Sequence, residues 1–291
     1  MQIATISLDQ ALPVLREYYD DIVSRYWGRP ATSAEVDQVL VDEPSDDLLM
    51  FLAREDDKVL GCIGLRLTEP PFAEVKRVYV VPAARGRGVG RAMMAFVEDV
   101  ALAHGAVTMR LDVRDDLVEA RALYAACGYV DVEPFNDDAY VGRWLAKDLV
   151  HITPVASDDP RLTGLIAALD RDLWDRYNNE DLGPSPTSPD VRFLLACRGV
   201  TPIGCAAIQP RGEDVELKRM FVTPEARGTG IAPRLVDAAV ALAGDARVIL
   251  ETGVRQPEAI RLYEKCGFTR IPNYPPYDQD PLSVCYALSR S

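Results

Sequence analysis

At 291 residues the chain is long enough for two domains of ordinary size, and its 48% hydrophobic and 26% charged residues are typical of a globular protein. The net charge is −13, and residues 1–150 hold most of it, with 16 basic against 26 acidic side chains. Such a chain lacks the basic face that nucleic-acid phosphates require, and no apolar run approaches the roughly 20 residues that span a bilayer. We therefore expect no nucleic-acid or membrane partner and a cytoplasmic location. The acidic charge could favour a cationic substrate through electrostatic steering, and for most of these residues the alternative is that they only keep the surface solvated.

Metal binding is not expected from the cysteines and histidines, because neither their number nor their spacing matches a ligand set. The cysteines fall in apolar strands and at helix ends, where they are predicted to be small buried hydrophobic residues. The residues concerned are Cys62, Cys127, Cys197, Cys205, Cys266, Cys285, His104 and His151.

The two halves of the chain are predicted to contain the same elements in the same order. Each half shows an amphipathic helix, a Pro- and Asp-rich loop, a hairpin, a third strand with a glycine turn, a helix, a strand, a second helix and two closing strands. The first half gives helix 11–27, loop 28–47, hairpin 48–67, strand 73–81, helix 88–104, strand 107–113 and last strand 140–147. The second gives helix 161–177, loop 178–190, hairpin 192–209, strand 215–222, helix 230–243, strand 247–252 and last strand 282–288. The segment 147–160 is predicted to join them and to hold the first strand of the second half.

This repetition extends to the letters of the sequence. Residues 74–90 read EVKRVYVVPAARGRGVG and residues 216–232 read ELKRMFVTPEARGTGIA, with nine of seventeen positions identical. A second pair follows, EARALYAACGY at 119–129 and EAIRLYEKCGF at 258–268. We conclude that a whole domain has been duplicated, with domains at 1–148 and 151–291, each an α/β fold built on a mixed sheet.

The glycine turn has the composition of an anion-binding device. Glycines let the backbone approach a diphosphate, and the following helix adds the positive end of its dipole. The turn has no GK[ST] sequence, which excludes a P-loop, and the hairpins before it disfavour a dinucleotide-binding Rossmann unit. A tight turn without a ligand is the alternative for either copy alone.

Together these motifs resemble the GNAT superfamily of acetyl-CoA-dependent N-acetyltransferases. The Arg-Gly-x-Gly turn precedes the tyrosine of Leu-Tyr-x-x-Cys-Gly-[Tyr/Phe] by 36 residues in the first half and 33 in the second, counted from Gly88 and Gly230. The resemblance covers both halves and implies two tandem, mostly antiparallel twisted sheets flanked by helices, with acetyl-CoA in a gap of each sheet. The cofactor-binding residues that it implies are Val80, Val81, Arg85, Gly86, Arg87, Gly88, Val89, Gly90 and Arg91, and then Val222, Arg227, Gly228, Thr229, Gly230, Ile231 and Ala232.

The resemblance also implies catalytic residues. Tyr124 and Tyr263 match the acid that protonates the leaving sulfur, with a packed core tyrosine as the alternative. Glu74 and Glu216 are the predicted bases, although an ion pair with a neighbouring Lys or Arg is nearly as well supported. Asp112 and Glu251 are weaker alternatives for the base.

Aromatic and acidic residues suggest where an acceptor amine would bind. The candidate lining residues are Tyr18, Tyr19, Tyr26, Trp27, Trp174 and Tyr177, with Asp137, Asp138, Asp278 and Asp280 from the closing loops. Packing in the core is the alternative for most of the aromatic residues, and a solvated turn position is the alternative for each acid. The two halves also depart from the family pattern. Leu117 and Gln256 replace its usual Asn, Ala232 replaces the last turn glycine, and Pro233 removes an N–H group.

The predicted function is acetyl transfer from acetyl-CoA to a primary amine of a small molecule or peptide, by direct attack in a ternary complex, in a monomer or homodimer. Two alternatives remain. One half is a non-catalytic coenzyme-binding or structural module, or the protein is a mycothiol-synthase-like tandem acetyltransferase.

Overall fold

The computed structural model describes residues 1–138, 140–177 and 190–288. The chain divides into two compact units, Met1–Leu149 and Val150–Ser291. Nearly all of the second predicted loop, at 178–190, lies outside the described residues.

The first unit contains seven strands and four helices among its described residues. In chain order these are β1 (Gln2–Ile6), α1 (Leu8–Trp27), α2 (Ser33–Asp42), β2 (Leu49–Glu55), β3 (Lys58–Leu67), β4 (Phe72–Val80), α3 (Val89–Ala103), β5 (Thr108–Val113), α4 (Val118–Ala126), β6 (Val130–Asp131) and β7 (Arg143–Asp148). The described residues of the second unit repeat this order without a counterpart of α2. They form β8 (Val150–Val155), α5 (Pro160–Arg176), β9 (Arg192–Arg198), β10 (Thr201–Arg211), β11 (Asp214–Val222), α6 (Ile231–Leu242), β12 (Val248–Gly253), α7 (Pro257–Lys265), β13 (Thr269–Ile271) and β14 (Ser283–Leu288).

Each unit is built on one seven-stranded sheet. The strand orders are β1-β2-β3-β4-β5-β7-β6 and β8-β9-β10-β11-β12-β14-β13. Only the central pairs β4–β5 and β11–β12 are parallel among the described strands, and the other pairs are antiparallel. The predicted fold class, two mostly antiparallel mixed sheets flanked by helices, is therefore confirmed.

Helices cover both faces of the first sheet because each presents an apolar stripe. On one face, Met93, Met94 and Val97 of α3 are completely buried against sheet residues. On the other, Ala11 and Leu15 of α1 are buried in a separate cluster. The central strands are thus buried on both sides, which makes the sheet a rigid platform for any site at its strand ends.

In the first unit one prediction was wrong and one strand was not predicted. The segment 28–47 was expected to be a loop, but it contains α2, whose start carries a capping box: Thr32 Oγ1 accepts from the Glu35 amide (3.3 Å) and Glu35 Oε2 accepts from the Thr32 amide (2.8 Å). The Thr-x-x-Glu signal for this helix is present in the sequence. Strand β1 was also missed, since this edge strand is mostly exposed and lacks a clear alternation of apolar residues.

A β-bulge opens the centre of each sheet. In the first unit Cys62 pairs with Tyr79 but Gly64 pairs with Lys76, so β4 has one extra residue, and Arg77 takes a φ of 54°. The matching residue of β11, Arg219, has a φ of 53°. Parallel pairing between β4 and β5 extends over only three residues, 72–74 with 108–110, and beyond them the strands separate. Bulges bend a strand and end its pairing, and here the consequence is a gap at the centre of the sheet.

Candidate active site

The gap of the first unit leads into a cavity of about 1510 Å³. Its walls come from α1, α2, the separated ends of β4 and β5, the glycine turn, the first turn of α3, and α4. This volume exceeds that of a typical small-ligand pocket, roughly 300–1,000 Å³, so the cavity has room for a large ligand together with a second, smaller one.

The backbone of Val80 faces this gap. Val80 pairs with Gly61, and the amide of the next residue, Val81, donates to Leu60 O at 3.0 Å. Because N–H groups alternate along a strand, the Val80 amide points away from β3 and toward the side where β5 has separated. The Val81 amide is already used in the sheet, so of these two predicted cofactor-binding residues only Val80 offers its N–H to a ligand.

The glycine turn joins β4 to α3 through left-handed backbone at Gly86 (φ 75°) and Gly88 (φ 80°). Gly88 is the N-cap of α3 and supplies no side chain to the helix start. Residues 89–91 occupy the first helical positions, whose N–H groups have no carbonyl acceptor within the helix. The turn therefore presents backbone donors and the positive end of a helix dipole to the cavity.

The arginines of the turn are held by the protein itself. Arg85 donates from Nε to Val80 O at 3.1 Å and pairs with Asp21 at 3.3 Å, and Arg87 pairs with Glu55 at 2.7 Å. Arg85 thus fixes the end of β4 to α1. Gly90 has a packing role, since a Cβ at this position would lie 2.9 Å from Leu123 Cδ2 of α4.

Tyr124 lines the cavity from α4 and is only 6% exposed. Burial raises the pKa of its phenol, and the nearby Tyr18 and Asp112 raise it further. The phenol is therefore neutral at physiological pH and carries a proton that it can donate. Its counterpart Tyr263, 5% exposed, has a pKa raised by burial and by Glu251.

Glu74 does not line the cavity; it lies in an ion cluster. Arg110 donates to Glu74 Oε1 from Nη2 (2.7 Å) and Nε (3.1 Å), and Arg66 donates to Oε2 at 3.2 Å. In the second unit Glu216 is 1% exposed and accepts hydrogen bonds from Gln209 and Tyr274 at 2.9 and 3.2 Å. Arg211 and Lys218 also lie 3.6 and 3.8 Å from Glu216 Oε2. Both glutamates therefore have the ion-pair contacts that the sequence left open as the alternative to a base.

A different carboxylate faces the cavity. Asp112 lies on β5 beyond the last residue paired with β4, and its Oδ2 accepts from Lys76 Nζ and Asn136 Nδ2, both at 2.7 Å. Asn136 is in turn held by Trp144 Nε1 at 2.8 Å. Among the described residues no hydrogen bond reaches Oδ1, so that oxygen is available to a ligand. The sequence ranked Asp112 below Glu74 because spacing does not report which side chains face a gap.

In the second unit the matching carboxylate is Glu251. Ser283 Oγ donates to it at 2.6 Å, and burial raises its pKa. The end of β11 has the same hydrogen bonds as the end of β4 in the first unit. The Thr223 amide donates to Ile203 O at 2.9 Å, and Arg227 Nε donates to Val222 O at 3.1 Å. The helix start differs, because Pro233 in the first turn of α6 removes one N–H donor.

The aromatic residues predicted to line the acceptor pocket are placed differently in the two units. Tyr18, Tyr19, Tyr26 and Trp27 all line the cavity of the first unit. Tyr177 of the second unit is 2% exposed, and a Cβ at Gly253 would lie 1.6 Å from its hydroxyl oxygen. Tyr177 therefore fills space beside the end of β12.

The described cysteines are free thiols, and burial raises the pKa of Cys127 and Cys266, which disfavours a nucleophilic role. Within the described ranges, no cluster of His, Cys, Asp and Glu has the arrangement of a metal site. A helix of membrane-spanning length and hydropathy is likewise absent from those ranges.

Comparison with known families gives a match in each half. Residues 13–129 match a model described as Acetyltransferase (GNAT) family, and residues 189–270 match one described as Acetyltransferase (GNAT) domain.

Individual relatives are also similar. An IAA acetyltransferase of Azospirillum brasilense is 44% identical over 130 residues, which cover 41% of this chain and 84% of that protein. A mycothiol acetyltransferase of Thermobispora bispora is 28% identical over 247 residues, 76% of this chain and 80% of that protein. A crystal structure of a putative acyl-CoA N-acyltransferase from Klebsiella pneumoniae is 34% identical, with a TM-score of 0.41, and covers 48% of this chain and 96% of that chain.

Proposed function

The chain belongs to the GNAT acetyltransferase family, and on that premise we propose that it transfers an acetyl group from acetyl-CoA to a primary amine at the cavity of the first unit. The observation that carries the proposal is the convergence of three groups on one cavity: a strand-end amide that the sheet leaves unused, a helix N-terminus behind a glycine turn, and a neutral buried tyrosine.

The residues of the first unit fit the donor. Gly86 and Gly88 have open space where a Cβ would lie, and the first N–H groups of α3 suit a diphosphate. The separated strands leave edge backbone groups for an extended chain such as pantetheine. When bound, acetyl-CoA supplies an activated acetyl thioester; the Val80 amide is the donor that we assign to its carbonyl oxygen.

Proton transfer is assigned to two residues of the cavity. Asp112 takes one proton from the substrate ammonium through Oδ1 and releases it to solvent, so that a neutral amine attacks the acetyl carbon. As the new N–C bond forms and the C–S bond breaks, Tyr124 gives its proton to the sulfur and recovers the proton that the nitrogen loses. Glu74 is assigned a positioning role, because it holds Arg66 and Arg110 at the point where β4 and β5 part. A base role for Glu74 stays a prediction.

The geometry supports the first unit as the catalytic one. In the second unit Pro233 removes a donor from the helix start, and Tyr177 fills space at the end of β12. A mycothiol-synthase-like activity is the second candidate, favoured by the Thermobispora relative, whose similarity covers 76% of this chain.

Thiol release from acetyl-CoA, measured with a panel of primary amines, tests the proposal. We expect amine-dependent release by the natural protein, and calorimetric binding of coenzyme A that weakens when Gly88→Val adds a branched side chain at a left-handed position. Coenzyme A binding that is absent, or unaffected by this substitution, would contradict the assigned site.

A further inference from the structure

Three large aromatic residues stand exposed at the edge of the first unit's cavity. Tyr26, Trp27 and Tyr140 are 50%, 57% and 64% exposed, and all three line the cavity. Their rings touch edge to face, with centroid distances of 4.9 Å between Tyr26 and Trp27 and 5.8 Å between Tyr26 and Tyr140. We call this cluster the aromatic mouth. Exposed apolar clusters of this kind usually mark a binding surface.

Ion-paired arginines lie against two of the three rings of the aromatic mouth. Arg114 lies over the Tyr26 ring, 5.1 Å from its centroid, and is fixed by Asp116 at 2.6 Å. Arg29 lies 5.9 Å from the Trp27 centroid and pairs with Glu35. These contacts restrict the Tyr26 and Trp27 rings, so that a ligand meets the two rings with less loss of side-chain entropy.

The two guanidinium groups also decide what the mouth can accept. A cation prefers the face of an aromatic ring, and on Tyr26 and Trp27 an arginine already holds that kind of contact. The positive charge of each arginine repels a second cation at the same ring, whereas the exposed part of the ring suits a neutral aromatic group in edge-to-face or offset contact. The chemistry favours an aryl group over a second positive charge.

Comparison with the second unit shows that the exposure of these three aromatic residues is not a general consequence of the fold. The ion pair Arg25–Glu119 of the first unit matches the ion pair Arg176–Glu258 of the second. The residue after each arginine is a tyrosine, so Tyr26 corresponds to Tyr177, which is only 2% exposed. In the sequence Trp27 corresponds to Asn178. Asp112 pairs with Trp144, and its counterpart Glu251 pairs with Cys285, so Trp144 corresponds to Cys285. Four residues earlier in each unit, Tyr140 corresponds to Pro281. The aromatic mouth thus belongs to the first unit alone among the described residues.

We propose that the aromatic mouth binds the ring of an arylalkyl amine, whose amino group extends along the cavity to Asp112 and Tyr124. This proposal rests on the proposed acetyl transfer and adds the substrate class. Trp27 and Tyr140 determine specificity, because they supply ring contacts that a saturated substrate does not reproduce.

The test compares 2-phenylethylamine with 2-cyclohexylethylamine, which have the same carbon skeleton and differ in aromaticity. With the full chain and saturating acetyl-CoA, we expect a KM for the aryl amine about tenfold lower than for the cyclohexyl amine. Trp27→Ala and Tyr140→Ala should remove this preference by raising the aryl KM. Trp27→Phe, which keeps a ring, should restore most of it.

Calorimetric titration of the full chain with both amines gives a readout independent of acetyl transfer. One outcome separates the two proposals: neither amine supports thiol release, yet the natural protein binds the aryl amine more tightly than the cyclohexyl amine and Trp27→Ala does not. In that case the proposed acetyl transfer is wrong and the proposed aromatic subsite is supported. Equal binding of the two amines by the natural protein would overturn the subsite. A rise in the KM for acetyl-CoA, instead of the amine, would also overturn it and assign the cluster to the adenine ring.

Discussion

Tyr124 combines deep burial with a place on the cavity wall, and this combination defines its chemistry. Burial raises its pKa, so the phenol stays protonated through neutral and mildly alkaline pH. Tyr124→Phe removes one hydroxyl and keeps the packing of the ring. We expect kcat to fall about 100-fold or more, measured as thiol release, with little change in the KM for acetyl-CoA and no loss of thermal stability. A kcat within twofold of the natural value would remove Tyr124 from the proton pathway.

Asp112 and Glu74 are the residues between which the structure discriminates most sharply. Asp112→Asn keeps an oxygen for Lys76 but removes the proton acceptor, so we expect about 100-fold lower kcat/KM at pH 7. The deficit should shrink as pH rises toward the pKa of the substrate amine, because more amine then arrives already neutral. A pH–rate profile between pH 6 and 10 measures this.

Glu74→Gln is the matched control for that profile. It leaves Arg66 and Arg110, which are partly exposed, with a weaker partner, so we expect a loss of stability of about 1–3 kcal/mol with the shape of the pH profile unchanged. If Glu74→Gln changes the profile and Asp112→Asn does not, the two assignments are reversed.

At the level of elements, the close approach of β3 and β4 sets the position of the Val80 amide. Gly61 of β3 pairs with Val80, and a Cβ at Gly61 would lie 2.3 Å from Tyr79 O, a backbone atom that cannot rotate away. Gly61→Ala should therefore push the end of β4 outward. We expect about 1–3 kcal/mol lower stability in denaturant titration and a reduced kcat.

Gly164→Ala is the control for that substitution. Gly164 lies inside α5, and apart from its chain neighbours and the backbone of its own helix no described atom lies within 4 Å of the position that an added Cβ would take. Alanine should therefore stabilise by about 0.5–1 kcal/mol. Unchanged activity in Gly61→Ala would show that the spacing of β3 and β4 does not control catalysis.

For the whole molecule, duplication of the fold raises the question of whether both units catalyse. Tyr263→Phe is the same chemical change as Tyr124→Phe, made in the unit where Tyr177 is inserted beside β12. We expect it to leave at least half of the thiol release. A large loss in Tyr263→Phe with a small loss in Tyr124→Phe would move catalysis to the second unit.

Much of the fold was predictable because its signals are local. The repeated strand, glycine turn and Leu-Tyr helix occur at nearly the predicted ranges in both units, and each depends on hydrophobic period and turn chemistry. Strand β1 was missed because an edge strand is weakly patterned. Helix α2 was missed because its Pro- and Asp-rich surroundings concealed the capping box of Thr32 and Glu35.

By itself, the sequence determined the duplication, the order of elements and the set of residues among which a site had to lie. The tertiary structure alone decided which of them meet: pairing of β4 with β5 ends at Glu74, so Asp112 lies beyond it beside the cavity, while Glu74 joins Arg66 and Arg110. It likewise exposes Tyr26 and buries its counterpart Tyr177. The physical reason is that side-chain direction depends on register, bulges and packing between distant segments, and none of these is encoded in local spacing.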